Sequence, residues 1–291
     1  MIGDDAHSTV FSALQFLGLG HDRVKRVAAD AQGRMDPADF ARVLATCPGP
    51  TIAVIQAGQL NTGAFDPAPQ LIPQAKAQGA WVHVDGAFGL WARAAPTRAH
   101  LGAGLDAADS WACDGHKWLQ TPYDSGFAIV RDADAHRRAM TIAASYLPAV
   151  AAGERDPSHY VPELSRRARG FATWAMIRHL GRAGIAEMVE RHCILATRMA
   201  TALAAEPGIT IVNEIVLNQI ILRFGADDAA TQATIARLQR DGTIFAGGAR
   251  WRGQWVLRLS VIAFPFDEEA ADRATAAIRH AWHAVQQGGP A

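Results

Sequence analysis

Trp81-Val82-His83-Val84-Asp85-Gly86-Ala87-Phe88-Gly89 and, further on, Asp109-Ser110-Trp111-Ala112-Cys113-Asp114-Gly115-His116-Lys117-Trp118-Leu119 decide the reading of this chain. Each run is a short apolar strand that stops abruptly at polar groups and glycine. The first delivers a carboxylate, Asp85, and the second a His-Lys pair, His116 and Lys117. In open α/β sheets, ligands bind in the crevice at the carboxyl ends of parallel strands. An acid from one strand end and an amine from a later one suit a pyridine aldehyde cofactor. The amine condenses with the aldehyde as a Schiff base, and the carboxylate holds the ring nitrogen protonated.

Working outward, apolar positions Val10, Leu14 and Leu17 predict a helix over residues 7–19. A short strand follows at 24–28. Asp36-Pro37 opens a helix through Leu44, with proline in its first turn. Residues 51–55 read as a β-branched strand, and 71–78 as a helix stopped by Gly79. Strands at 81–84, 110–113 and 126–130 complete a pattern of alternating strands and helices. That pattern predicts a mostly parallel sheet covered on both faces.

The pattern breaks between residues 141 and 162, where Gly153-Glu154-Arg155-Asp156-Pro157 reads as a mobile polar loop. A helix over 167–180, with Phe171, Trp174, Ala175 and Ile177 facing inward, is followed by Gly181 and Gly184. A second helix covers 185–204. Strands at 209–212, 219–224 and 255–263, a helix at 231–240, and a last helix capped by Asp267 predict a small α+β domain. The boundaries drawn are 1–170 for the large domain and 171–291 for the small one with its leading helices.

Lys+Arg and Asp+Glu both number 28, which gives no reason to invoke nucleic acid or an anionic membrane. No apolar run approaches the roughly 20 residues of a membrane span, and no signal peptide is visible. The three cysteines, Cys47, Cys113 and Cys193, are odd in number and scattered, which suggests reduced thiols in a cytoplasmic protein.

The runs HVDGA and DGHKW, with Pro122-Tyr123-Asp124-Ser125-Gly126, resemble the pyridoxal-phosphate-dependent amino-acid decarboxylases, the group that includes the aromatic, histidine, glutamate and tyrosine decarboxylases. Asp5-Ala6-His7-Ser8, Asn61-Thr62-Gly63-Ala64-Phe65-Asp66, Leu164-Ser165-Arg166-Arg167-Ala168-Arg169-Gly170, Trp251-Arg252-Gly253 and Leu257-Arg258-Leu259-Ser260 fit as well, in family order. The resemblance implies a large domain of the aspartate-aminotransferase type (pyridoxal-phosphate fold type I), a small C-terminal α+β domain and a homodimer. It departs from the family at the start. Relatives carry a long stretch before the DAHS motif, with a Gly/Ser-rich turn that cups the cofactor phosphate. The sequence is therefore expected to be N-terminally incomplete.

Lys117 is one of only two lysines beyond residue 30 and sits between His116 and Trp118, an odd place for a solvated charge. A desolvated lysine favours the neutral, nucleophilic amine. Asp85 closes an apolar strand, where an unpaired carboxylate is costly; a strand-end cap or salt bridge is the plainer reading. Ala87 leaves room for a flat ring. By the resemblance, His7 stacks on that ring, His116 touches the cofactor or the substrate carboxylate region, and Asp114 stands where the phosphate approaches. Arg166 is the candidate for the substrate α-carboxylate, its planar fork binding both oxygens. Tyr160 is the candidate acid that protonates the carbanion. Cys113, His116, His83 and Asp85 admit a zinc reading, but metal sites draw on tighter Cys/His sets, and no metal is expected.

The activity implied is decarboxylation of an L-amino acid to its amine and CO2 with pyridoxal 5'-phosphate on Lys117. The rivals are an aminotransferase or another lyase on the same fold, and a non-catalytic subunit that has lost the cofactor.

Overall fold

The computed structural model describes residues 1–141 and 154–288. Its first part is a six-stranded sheet built from β1 (Ile2–Gly3), β2 (Arg26–Val27), β3 (Ile52–Gln56), β4 (Trp81–Asp85), β5 (Ser110–Asp114) and β6 (Gly126–Val130). The order is β2-β1-β3-β4-β5-β6, parallel throughout except for the antiparallel β5–β6 pair. The helices that follow its strands are α1 (Ser8–Phe16), α2 (Pro37–Leu44), α3 (Ala68–Ala77) and, after β6, α4 (Ala133–Met140).

Local chemistry sets these boundaries. Asp36 accepts from the backbone N–H groups of Ala38 and Asp39, and Pro37 supplies a fixed φ at the first helical position. α3 begins three residues before the sequence reading and carries Pro73 inside it. Its buried face of Ala68, Leu71, Ile72 and Ala75 outweighs the one missing N–H. α2 and α3 bury Phe40, Val43, Leu71 and Ile72 against Ile55, Val82 and Val84. α1 covers the opposite face through Phe11 against Ile2 and Val54.

Double coverage stops short of β6. Ala128 and Ile129 point to opposite faces and both are exposed, so the expectation of a sheet covered on both faces holds only around β1 and β3.

The second part contains α5 (Arg169–Ala204), β7 (Ile209–Ile211), β8 (Gln219–Phe224), α6 (Asp228–Asp241), β9 (Gly247–Trp251), β10 (Gln254–Ser260) and α7 (Glu268–Gln286). The strands form an antiparallel sheet in the order β7-β8-β10-β9. α5, α6 and α7 close its inner face around Leu203, Leu222, Phe224, Leu257, Ile278 and Trp282. β9, with two glycines in its five residues, was not foreseen.

α5 is broken at Gly181, whose φ of 61° and ψ of −177° leave the helical region; Gly184 interrupts nothing. Before the break, Phe171 and Trp174 are 74% and 61% exposed, and Ala175 and Ile177 are exposed too, against the inward packing expected. The amphipathic pattern is present, but the side chains stay largely exposed, and Ile177 lines an open cleft with Trp91, Phe127 and Ile129. Beyond the break, Met188, Val189 and Cys193 pack with Phe88, Ala92 and Trp118 of the first part. Most of the polar segment read as a loop is described, with a short 3-10 turn at Pro157–His159; Gly153 lies outside the described residues.

Candidate active site

Register places the site. Asp85 on β4 pairs with Gln56 on one side and Ala112 on the other. Side chains alternate along a strand, so Val54, His83, Asp85, Ala112 and Asp114 share one face, the face that α1 covers. The β4 exit passes very close to β3: a Cβ on Gly89 would lie 2.0 Å from the Ala57 carbonyl oxygen, so only glycine fits. The same turn is tied down by Gly86 N–H donating to Ala112 O at 2.9 Å and Asp114 N–H donating to Ala87 O at 2.8 Å.

Lys117 lies on the tight turn after β5. Its Nζ is 2.9 Å from Asp114 Oδ2, and His116 Nε2 is 3.5 Å from the same oxygen. His116 Nδ1 accepts the Ser125 N–H at 3.1 Å, so its proton sits on Nε2 and faces Asp114. The ring lies against Tyr123, with centroids 4.3 Å apart. Among the described residues, Asp85 Oδ1 accepts only a long bond from Ala87 N–H, at 3.3 Å. Trp91 Nε1 donates to the Asp114 carbonyl at 2.9 Å and fixes the strand end.

The remaining candidates fall into two groups. Ala6, next to His7, lines a small cavity together with Gln56, Asp66 and Asp85. His7 itself caps α1, accepting the Thr9 N–H on Nδ1 at 3.2 Å. Tyr160 and Arg166 are not joined to the Lys117 cluster by any contact among the described residues. Tyr160 packs edge-on against His136, and Arg166 donates to the carbonyls of Glu163 and Leu164 on its own turn. Arg167 and Arg169 reach back to Tyr123 O and the Asp124 carboxylate.

Four contributors were missed from sequence. Asp66 is buried, and its oxygens accept the Met35 and Gln56 N–H groups at 2.8 and 2.7 Å. It thereby fixes the strand end that pairs with Asp85, and burial pushes its carboxyl up to about 7. Gln120 and His192 hold the Lys117 turn from below. Arg258 is half-buried with no ion-pair partner among the described residues, and desolvation lowers its pKa. Asp66 and Arg258 had a sequence signal, since both lie in stretches that resemble the family; Gln120 and His192 had none. Burial also pushes the Cys113 thiol up to about 12, which leaves it inert. Among the described residues no group of three or more His, Cys, Asp or Glu could hold a metal ion.

The donor set can be matched to pyridoxal phosphate directly. An amine and a carboxylate with spare hydrogen-bonding capacity stand at neighbouring strand ends, which fits an aldehyde and a ring N–H. The phosphate is matched by no group in this cluster, where Asp114 is itself an acid.

The architecture is shared with solved structures. A rice (Oryza sativa) structure described as TDC with PLP and tryptamine superposes with a TM-score of 0.91 at 23% identity, covering 98% of this chain and 62% of that one. The apo structure of mouse CSAD gives 0.88 at 23% identity, covering 96% and 63%. These likenesses define the class: the fold of pyridoxal-phosphate decarboxylases, a mostly parallel sheet beside a separate antiparallel one. Residues 1–224 match the pyridoxal-dependent decarboxylase conserved domain, and the chain belongs to that family. It is 27% identical over 261 residues to the aromatic-L-amino-acid decarboxylase of Drosophila lebanonensis, covering 88% of this chain and 64% of the relative. It is 29% identical over 223 residues to the cysteine sulfinic acid decarboxylase of Mus musculus, covering 72% and 44%. The chain thus spans less than two thirds of the length of these relatives.

Proposed function

We propose that this chain carries the lysine and carboxylate of a pyridoxal-phosphate-dependent carboxy-lyase that converts an L-amino acid to its amine and CO2. The observation that carries the reading is the Lys117 amine, held 2.9 Å from Asp114 at the strand end next to Asp85. The bound cofactor supplies an electron sink for the pair left when the C–CO2 bond breaks. Lys117 would hold it covalently, and Asp85 would keep the proton on its ring nitrogen. Ala87, His7 and His116 would flank the ring, His116 with its Nε2 proton already oriented. Arg166 would hold the substrate α-carboxylate and Tyr160 would deliver a proton to Cα. The relatives' names, aromatic-L-amino-acid and cysteine sulfinic acid decarboxylase, support an aromatic or acidic side chain on the substrate.

The division at residue 170, between a cofactor-binding part and a C-terminal part, belongs to the same proposal. It is supported by separate cores under the two sheets. So do a homodimer and a cytoplasmic location, the latter supported by three unpaired thiols. No helix among the described residues is long and apolar enough to cross a membrane.

Asp114 favours a second reading, a family subunit without turnover, because an acid is a poor neighbour for a phosphate. Product analysis tests both. With an aromatic or acidic L-amino acid, CO2 and amine are expected in equal amounts. A keto acid as main product would support an aminotransferase, and no product with either substrate class would support the subunit.

A further inference from the structure

The turn that carries Lys117 is fastened to the C-terminal part at two points. Trp118 is fully buried, and its indole Nε1 donates to His192 Nδ1 at 2.9 Å. His192, also fully buried, reaches with Nε2 to the Ala263 carbonyl at 3.0 Å. An indole N–H only donates and a carbonyl only accepts. His192 is therefore neutral, with its proton on Nε2, and it links the residue after Lys117 to the segment after β10. The second fastening is Gln120. Its backbone takes a φ of 57°, and its Nε2 donates at 2.8 Å both to Lys117 O and to Ile262 O. Two adjacent carbonyls beyond β10, Ile262 and Ala263, thus anchor the Lys117 turn on its C-terminal side, at Trp118 and Gln120.

Each contact is costly to leave unmade, because Trp118 and His192 are buried and an unpaired polar group there loses its hydration without return. A tryptophan and histidine chosen only to fill space would not need their nitrogens aligned. Here all three ring nitrogens are paired, and the two rings lie edge to edge and nearly coplanar, with an interplanar angle of 18°.

We infer that His192 and Gln120 are positioning residues that lock the Lys117 turn to the segment after β10, and so aim the amine at the strand-end carboxylates. This rests on the reading of Lys117 as the cofactor lysine. The lock itself makes a claim that needs no cofactor. Glutamine at position 192 has an acceptor and a donor spaced much as the two imidazole nitrogens are, so it can rebuild both bonds. Leucine can rebuild neither.

The test is amide hydrogen exchange over residues 115–121 in the cofactor-free chain, for wild type, His192→Leu, His192→Gln and Gln120→Gly. Labelling of Lys117 by pyridoxal phosphate under borohydride is read in parallel. Exchange in the turn is expected to rise by about tenfold or more in His192→Leu and Gln120→Gly, each of which loses two hydrogen bonds. It should stay near wild type in His192→Gln, and Lys117 labelling should follow the same order. β8 serves as the control: if His192→Leu loosens it equally, Gln120→Gly decides, since glycine accepts that φ and the change removes the side chain with both of its carboxamide bonds. Unchanged exchange in Gln120→Gly, or a His192→Gln variant as loose as His192→Leu, overturns the lock. Absence of labelling on wild-type Lys117 would instead overturn the cofactor reading, while the exchange pattern still decides the lock.

Discussion

Lys117 Nζ lies 2.9 Å from Asp114 Oδ2, three residues back along the same strand end. The ion pair does two things. It holds a half-exposed lysine in one place, and it puts a negative charge beside the amine to which the proposed function attaches a phosphorylated cofactor. Charges about 7 Å apart near a protein surface interact by roughly 2 kcal/mol. Asp114→Asn is therefore expected to tighten pyridoxal phosphate binding by about 30-fold, with a smaller effect on pyridoxal. Titration by absorbance measures both. Weaker phosphate-form binding in the variant would show that Asp114 helps the cofactor rather than repelling it.

Asp85 has spare hydrogen-bonding capacity at the end of β4. Asp85→Ala should leave covalent attachment at Lys117 intact but lower the rate of CO2 release by about 100-fold or more, roughly 3 kcal/mol in the barrier. Near-normal turnover would remove its role at the ring nitrogen.

The substrate carboxylate has two arginine candidates, and their surroundings differ. Arg166 is exposed and bonded to its own backbone, whereas Arg258 is half-buried and without an ion-pair partner among the described residues. Replacement by lysine keeps the charge and loses the fork. If Arg166 binds the carboxylate, Arg166→Lys should lower kcat/KM by roughly 1–3 kcal/mol, typical of a charged hydrogen bond. The same loss in Arg258→Lys, with Arg166→Lys unchanged, would move the role to Arg258.

Two buried groups should shape stability against pH in opposite senses. Burial brings His192 down to about 4 from 6.5, so between these values the unfolded chain binds the extra proton. Stability is lost as pH falls through that window, by on the order of 3 kcal/mol in total. Asp66 is raised from 3.8 to about 7, so its contribution is lost as pH rises. His192→Gln removes only the first slope. Relative to wild type, its urea midpoint should improve as pH drops from 7 to 5. Parallel profiles would mean that His192 does not resist protonation in the fold.

Much of this was legible in the sequence because strand ends announce themselves. Asp85 closes an apolar β-branched run and precedes Gly86, Lys117 stands just past Gly115 at the end of the next apolar run, and each appears where an open sheet presents ligands. Asp36 and Asp267 were read as caps for the same local reason, and both accept the expected N–H groups. The inward face assigned to Phe171, Trp174 and Ile177 was wrong because periodicity tells which side chains align, not whether another element arrives to cover them. β9 was missed because its glycines carry no pattern; its pairing with β10 creates the strand. His192 and Gln120 lie far from the Lys117 motif or inside an unremarkable turn, and only tertiary contact reveals them.

Borohydride reduction in the presence of pyridoxal phosphate, followed by peptide mapping, tests the central claim most directly. The chain has only two lysines beyond residue 30, and Lys76 is paired with Asp109 well away from the strand-end cluster. The account predicts a single pyridoxyl adduct on Lys117. An adduct on Lys76, or none at Lys117, would contradict it.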